Sequence, residues 1–280
     1  MLRIISKTRA SLMILVLMLM AVSSVNALQL TLPASDEESR NRLNSSPRHG
    51  EWLKIESGGE TINAWIVFPE RSDPAPVVMV IHEIYGLTDW IRAVADQLAA
   101  DGYIAIAPDL LSGKGPNGGG TESVDRDGAV ALVRSLEWSE VVSRLNDTAR
   151  HATALPAAQD KLAVLGFCWG GSSSFAYAGE REDLAAAVVY YGSTPTPEVM
   201  AQIQTPVLGL YGGDDARVNR TIPAAETEMQ RLDKSYRKEI YAGAGHGFLR
   251  AQGAREGANL EASQQAWSRT LTFLKQELED

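Results

Sequence analysis

Cysteine is almost missing from this chain: Cys168 is the only one in 280 residues, so no intramolecular disulfide can form. Histidine is also scarce, with four copies, and no His, Cys, Asp or Glu group has metal-ligand spacing. The residues 118–120 are three consecutive glycines, but no phosphate-loop pattern with a Lys-Ser/Thr ending surrounds them. A metal or nucleotide cofactor is therefore not implied. No repeat of fixed period is present, which excludes solenoids and propellers. Positive charge is in deficit, with 26 Lys and Arg against 35 Asp and Glu. That balance argues against nucleic acid or anionic lipid as a partner.

Long apolar runs are limited to one, SLMILVLMLMAV at 11–22, which is short for an ordinary membrane span. Arg3, Lys7 and Arg9 precede it, and SSVNA follows, with Val25 and Ala27 as small-residue cleavage determinants. This predicts a signal peptide over 1–27 and an exported protein, periplasmic or secreted; an uncleaved anchor is the alternative. Cleavage after Ala27 leaves 253 residues, and losing three basic residues takes the formal charge from −9 to −12. The remaining length suits one large core without stable membrane association. A thiol retained in an exported protein is exposed to oxidation, so Cys168 invites a chemical explanation.

Residues 28–48 are polar and lack an apolar period, which predicts an exposed leader before a single domain over 49–280. EWLKIE and INAWIVFPE alternate about Ser57-Gly58-Gly59 and predict an antiparallel hairpin. Beyond Pro76, apolar runs such as VVMVI, YIAIA, LAVLGF, LAAAVVYY and VLGLY alternate with amphipathic stretches. Among the latter are a long helix near 128–155 carrying Trp138, one near 222–234 and one near 260–278. The pattern predicts an α/β fold, a mostly parallel central sheet with helices on both faces. The Gly-rich insertion at 111–127 reads as a hinged lid or as a solvated connection.

The strongest local signal is Gly166-Phe167-Cys168-Trp169-Gly170-Gly171, between an apolar strand and a helix. That is the setting of a nucleophile elbow, where small flanking residues let strand and helix approach. The helix N-terminus beneath Cys168 is expected to favour a thiolate. A buried structural cysteine is the bland alternative, and the partners decide against it. An elbow needs an acid and then a histidine, in that order. Asp214 and Asp215 follow the strand VLGLY, and Asp215 is favoured. His246 follows in Gly243-Ala244-Gly245-His246-Gly247-Phe248. The other histidines fit less well: His49 is in the leader, His151 near a helix end, and His82 beside Glu83.

Glu83 in IHEIYG, Cys168 in GFCWGG, Asp215 and His246 together resemble the dienelactone hydrolase family of α/β-hydrolases, from about Trp52 to the C-terminus. The resemblance implies an α/β-hydrolase fold and an oxyanion hole formed by the backbone N–H groups of Ile84 and Trp169. It also implies that Glu83 contacts the resting Cys168 thiol and shifts on substrate binding to deprotonate it. Arg250 in HGFLR matches one of two arginines that hold an anionic lactone in the family. Gly113 stands where the second is expected, with Lys114 as a possible point-charge substitute. Tyr85, Trp138, Tyr191 and Phe248 are candidate pocket aromatics.

The resulting expectation is a hydrolase of small esters or lactones acting through a covalent thioester on Cys168. The alternatives are a general carboxylesterase for neutral esters and a non-catalytic thiol sensor or binding protein.

Overall fold

The computed structural model describes residues 32–279; the candidate signal segment 1–27 and leader residues 28–31 lie outside them. Residues from Ala34 onward form one compact unit. Its eight strands are β1 Gly50–Ser57, β2 Glu60–Val67, β3 Ala75–Ile81, β4 Ile104–Pro108, β5 Ala158–Phe167, β6 Leu184–Tyr190, β7 Val207–Gly212 and β8 Tyr236–Tyr241. They lie in the order β1-β2-β4-β3-β5-β6-β7-β8. β1 and β2 form the expected antiparallel hairpin, with Ser57 opposite Glu60, and β2 runs antiparallel to β4. Every other pairing is parallel. This is the α/β-hydrolase architecture.

The described helices are α1 Ser39–Ser45, α2 Asp89–Ala100, α3 Arg126–Ser135, α4 Trp138–Thr153, α5 Trp169–Tyr177, α6 Pro197–Gln202, α7 Ala216–Asn219, α8 Ile222–Arg231 and α9 Ala258–Glu279. Strand β3 is buried along its whole length, as its unbroken apolar run requires of a strand covered on both faces. Val77, Met79 and Ile81 share a core with Val141, Leu145 and Ala149 of α4. Strand alternation turns Val78 and Val80 to the opposite layer. There Trp90 of α2 meets Phe167 edge-on at 4.8 Å, and the Tyr190 hydroxyl lies 2.7 Å from that of Thr270 in α9. Each fully buried Val, Leu or Ile contributes about 1.5–3 kcal/mol, so the strands that carry the site are held from both faces.

Three expectations need correction. The helix expected over 128–155 is two helices, because Leu136 and Glu137 are extended, with ψ of 127° and 137°. The bend lets half-buried Leu136 pack against two apolar clusters at once. The insertion at 111–127 is not a free lid. Thr121 receives the amide of Leu87 on its hydroxyl, and gives its own amide and hydroxyl to Asp109 at 2.8 and 2.7 Å.

The leader is not simply exposed either. Within 34–48, Ala34 and Ser39 are buried, α1 forms, and Arg48 pairs with Asp96 at 2.5 Å. The Ala34 carbonyl accepts from the Trp90 indole at 3.1 Å. Its residues are polar because they dock through ion pairs and hydrogen bonds, which leave no apolar period to read.

Candidate active site

Strand β5 ends at Phe167 and α5 begins at Trp169, so Cys168 alone makes the turn, at φ 55° and ψ −113°. A non-glycine residue there is strained and persists only where its surroundings fix it. The surroundings are backbone. A Cβ on Gly166 would run into the Gly170 carbonyl, and one on Gly170 into the carbonyls of Ile81 and His82. The Cys168 amide donates to the Tyr190 carbonyl at 3.0 Å, tying the turn to β6.

The thiol faces His246. His246 Nε2 lies 3.0 Å from Cys168 Sγ, and His246 Nδ1 lies 2.5 Å from Asp215 Oδ2. Asp215 comes from the end of β7 and is almost wholly buried; its other oxygen caps α7 by accepting the Val218 amide at 3.3 Å. Asp214 turns outward and pairs with Arg255 at 2.8 Å. The order Cys, Asp, His is thus assembled from three loops at the C-terminal edge of the sheet, where open α/β folds place ligands.

Burial pushes the Cys168 thiol up to about 11; the nearby Glu83 carboxylate adds to this, while a hydrogen bond from the Trp169 amide works against it. The helix N-terminus therefore does not win in the free protein, and the thiol is neutral at ordinary pH. Glu83 is itself buried, which raises its carboxyl to about 7 even though Arg250 pulls it down. Its carboxylate lies 3.1 Å from Arg250 Nε. The contact implied between Glu83 and the resting thiol is not the one formed. The guanidinium offers Glu83 a charged partner, and the thiol turns to the imidazole instead.

His82 positions Glu83 from behind. Its ring accepts the Leu110 amide on Nε2 at 3.2 Å and donates from Nδ1 to the Glu83 carbonyl at 2.7 Å. It is fully buried, which lowers its proton affinity, and it stacks on Trp169 at 5.6 Å.

Beside Glu83 lies a cavity of about 240 Å³ lined by Asp36, Tyr85, Thr121, Arg126 and Arg250 among others. Arg126 sits 3.7 Å over the Tyr85 ring, and Arg250 lies 5.6 Å from it. A larger, open cavity of about 630 Å³ is lined by Trp52, Arg92 and Asp109 and lacks Glu83 and Arg250; Cys168 and His246 line neither cavity. The smaller one is the candidate substrate pocket, because Glu83 and Arg250 line it.

A sequence profile of the dienelactone hydrolase family matches residues 62–278. The chain belongs to the dienelactone hydrolase family. An Escherichia coli (strain K12) protein assigned as a carboxymethylenebutenolidase is 33% identical over 240 residues, spanning 80% of this chain and 86% of the relative. A Bradyrhizobium protein assigned as a 2-oxo-3-(5-oxofuran-2-ylidene)propanoate lactonase is 28% identical over 239 residues, spanning 80% and 93%. The crystal structure of a protein from Klebsiella pneumoniae subsp. pneumoniae MGH 78578, assigned as a dienelactone hydrolase, superposes with a TM-score of 0.72. It is 28% identical and covers 82% of this chain and 99% of its own. This dienelactone hydrolase relative is accordingly a carboxylic ester or lactone hydrolase.

Of the residues singled out in the sequence, the structure gathers Cys168, His246, Asp215, Glu83, Arg250, Tyr85 and Tyr191 into one region. Tyr191 is fully buried at φ 40°, its ring is 5.1 Å from that of His246, and its hydroxyl has no hydrogen-bond partner among the described residues. Ile84 and Trp169 pack against one apolar cluster of Leu111, Ala129 and Val133. Phe248 stands behind this region, buried against Tyr190, Tyr191 and Tyr241. Trp138 is not brought in: its indole donates to Glu180 at 2.9 Å and its ring packs on the core.

The substitute for the second arginine is also corrected. Lys114 pairs with Glu140 at 2.6 Å and Glu60 at 3.8 Å, and Gly113 has φ 78°, which a side chain adopts only with strain. The second guanidinium at the pocket is Arg126, from the start of α3. Neither Arg126 nor Asp36 was singled out in the sequence, since only the fold brings them to Arg250.

Proposed function

We propose that this hydrolase cleaves small esters or lactones through a thioester on Cys168, with His246 as acid and base and Asp215 as its orienting carboxylate. The observation that carries this is the continuous contact from Sγ through the imidazole to the buried carboxylate. The thiol proton passes to His246, directly or by way of Glu83, and the thiolate attacks the acyl carbonyl. The tetrahedral oxyanion forms against the backbone N–H groups of Ile84 and Trp169, each such donor contributing about 2.7–4 kcal/mol to the barrier reduction. His246 protonates the leaving alkoxide as the C–O bond breaks. It then takes a proton from water, which attacks the thioester and releases the acid and the thiol.

A thiol near pKa 11 is almost wholly protonated at pH 7. Activation on demand follows from Glu83. A substrate carboxylate at Arg250 shares the guanidinium and weakens its hold on Glu83, whose own affinity for a proton near neutrality makes it an effective base. Arg126 and Arg250 together give the pocket two cations, which supports an anionic lactone over a neutral ester. Its small volume suits a compact substrate. Export remains part of the reading, supported by the basic segment, apolar run and small residues at 1–27.

Cys168→Ala tests the reading. A panel of p-nitrophenyl acetate and an anionic lactone should lose at least about a thousandfold in kcat/KM, with the circular dichroism spectrum unchanged. Wild-type turnover in that variant would sink it.

A further inference from the structure

Five charged residues line the pocket, Asp36, Glu83, Asp125, Arg126 and Arg250, and Asp125 is engaged as the cap of α3, accepting the Gly128 amide at 2.8 Å. Arg250 Nε lies 3.1 Å from Glu83, and Arg250 Nη1 lies 3.1 Å from Asp36 Oδ2. Arg126 sits against Tyr85 in the same cavity. The two cations therefore face three carboxylates before any substrate arrives, and the two that pair with Arg250 are Glu83 and Asp36. The carboxylates differ in kind. Glu83 is buried on the strand edge beside the nucleophile, whereas Asp36 is 44% exposed and comes from the segment that precedes the sheet. The Asp36 amide also donates to the Arg250 carbonyl at 3.0 Å, so the segment is pinned to the main chain of the residue whose side chain it neutralises.

Resting on the functional reading above, we infer that Asp36 is a built-in counter-carboxylate: it occupies the guanidinium edge that an anionic substrate needs, and so sets the charge selectivity of the site. The argument is one of competition. Arg250 presents its Nε to Glu83 and an Nη to Asp36, and an incoming carboxylate must share or displace one of them. Glu83 is enclosed and held from behind by His82, so the exposed Asp36 is the easier to displace. Solvent access to its side chain means the released carboxylate is hydrated at once, without the cost of an unpaired buried charge. While it stays, Asp36 also repels a second anion and disfavours the ionised form of Glu83. The pinned amide keeps Asp36 close after release, so it re-pairs with Arg250 when the product acid leaves.

The lone thiol gives a probe that requires no turnover. Iodoacetate and iodoacetamide both alkylate Cys168, and the ratio of their second-order rate constants reports how the site treats a negative charge independently of thiol reactivity. Asp36→Asn should raise the iodoacetate-to-iodoacetamide ratio at least about fivefold, and Asp36→Glu should keep it within about twofold of wild type. In an Arg250→Gln background, the effect of Asp36→Asn should shrink below about twofold. An unchanged or lower ratio in Asp36→Asn overturns the inference, and so does a full-size effect without Arg250. With an anionic lactone, Asp36→Asn should act mainly through KM. If the wild type hydrolyses neither ester nor lactone, the functional reading fails, while the alkylation ratio still decides whether Asp36 screens the site.

Discussion

The nucleophile side of the site is built from strand ends, whereas its charged wall is built from segments that travel far from the sheet. Cys168, Asp215 and His246 each follow a strand within a few residues, with the Cys168 amide tied to β6 and the Asp215 amide to the end of β7. Asp36 reaches the site from a segment ahead of the first strand, and Arg126 from the start of α3 after an irregular insertion. The first region has its geometry fixed by the sheet, as attack on a carbonyl requires. The second is held by the Asp36–Arg250 ion pair and by Arg126 over the Tyr85 ring, contacts that an incoming charge can exchange. The proposed function thus puts the chemistry on the stiff part of the fold and the selection among substrates on the adjustable part.

If that division holds, changes on the stiff side should be the most damaging and insensitive to substrate charge. Asp215→Asn should lower kcat by roughly a hundredfold or more on ester and lactone alike, because the imidazole loses its orienting carboxylate. Asp214→Asn, whose partner is the half-exposed Arg255, should stay within about twofold. Steady-state kinetics of the pair decide it; the reverse ranking would assign the role to Asp214.

On the adjustable side the losses should be smaller and depend on charge. Arg126→Ala should lower kcat/KM for an anionic lactone by about tenfold while a neutral acetate ester changes by no more than a few-fold, since a charged hydrogen bond contributes about 1.5–3 kcal/mol. Equal losses on both substrates would make Arg126 a support for Tyr85 and not a selector. This measurement locates the second cation that the sequence pattern assigned to the neighbourhood of Gly113.

Glu83 lies where the two regions join, and its test is the smallest in size. Its carboxyl is raised to about 7 from an ordinary value near 4.5. Between those values the folded protein holds more protons than the unfolded chain, so this residue makes stability fall as pH rises through that window. Glu83→Gln removes the slope. The Tm difference, variant minus wild type, should therefore grow more positive from pH 5 to pH 8. A difference that shrinks over that range would mean the Arg250 pairing outweighs burial.

How much of this was legible in the sequence follows the same division. The Gly-rich elbow, the Gly-Gly hairpin and the loop histidine are signalled locally, by small residues at fixed offsets and by alternating apolar runs. Of the two carboxylates, the one favoured from the sequence, Asp215, is the one that turns toward His246. The pocket wall has no such local code. Asp36 and Arg250 lie more than two hundred positions apart, and Lys114 is drawn away by Glu60 and Glu140. The break at Leu136 is likewise invisible to helical periodicity, because an apolar residue there satisfies a continuous helix as well as a bend. Trp138 reads as a pocket aromatic until its indole is seen on Glu180.

The contacts around Gly166 and Gly170 leave the elbow with a single degree of chemical freedom. The atoms that a Cβ on Gly166 or Gly170 would meet are main chain, so the flanks of the turn hold no side chain that can repack. Exchanging sulfur for oxygen leaves the strained dihedrals as they are and alters only the acidity and reach of one atom. The backbone of the elbow therefore places no demand on whether sulfur or oxygen stands at position 168; the base that must remove its proton does. Resistance of the nucleophile to oxidants becomes a trait selectable separately from the fold.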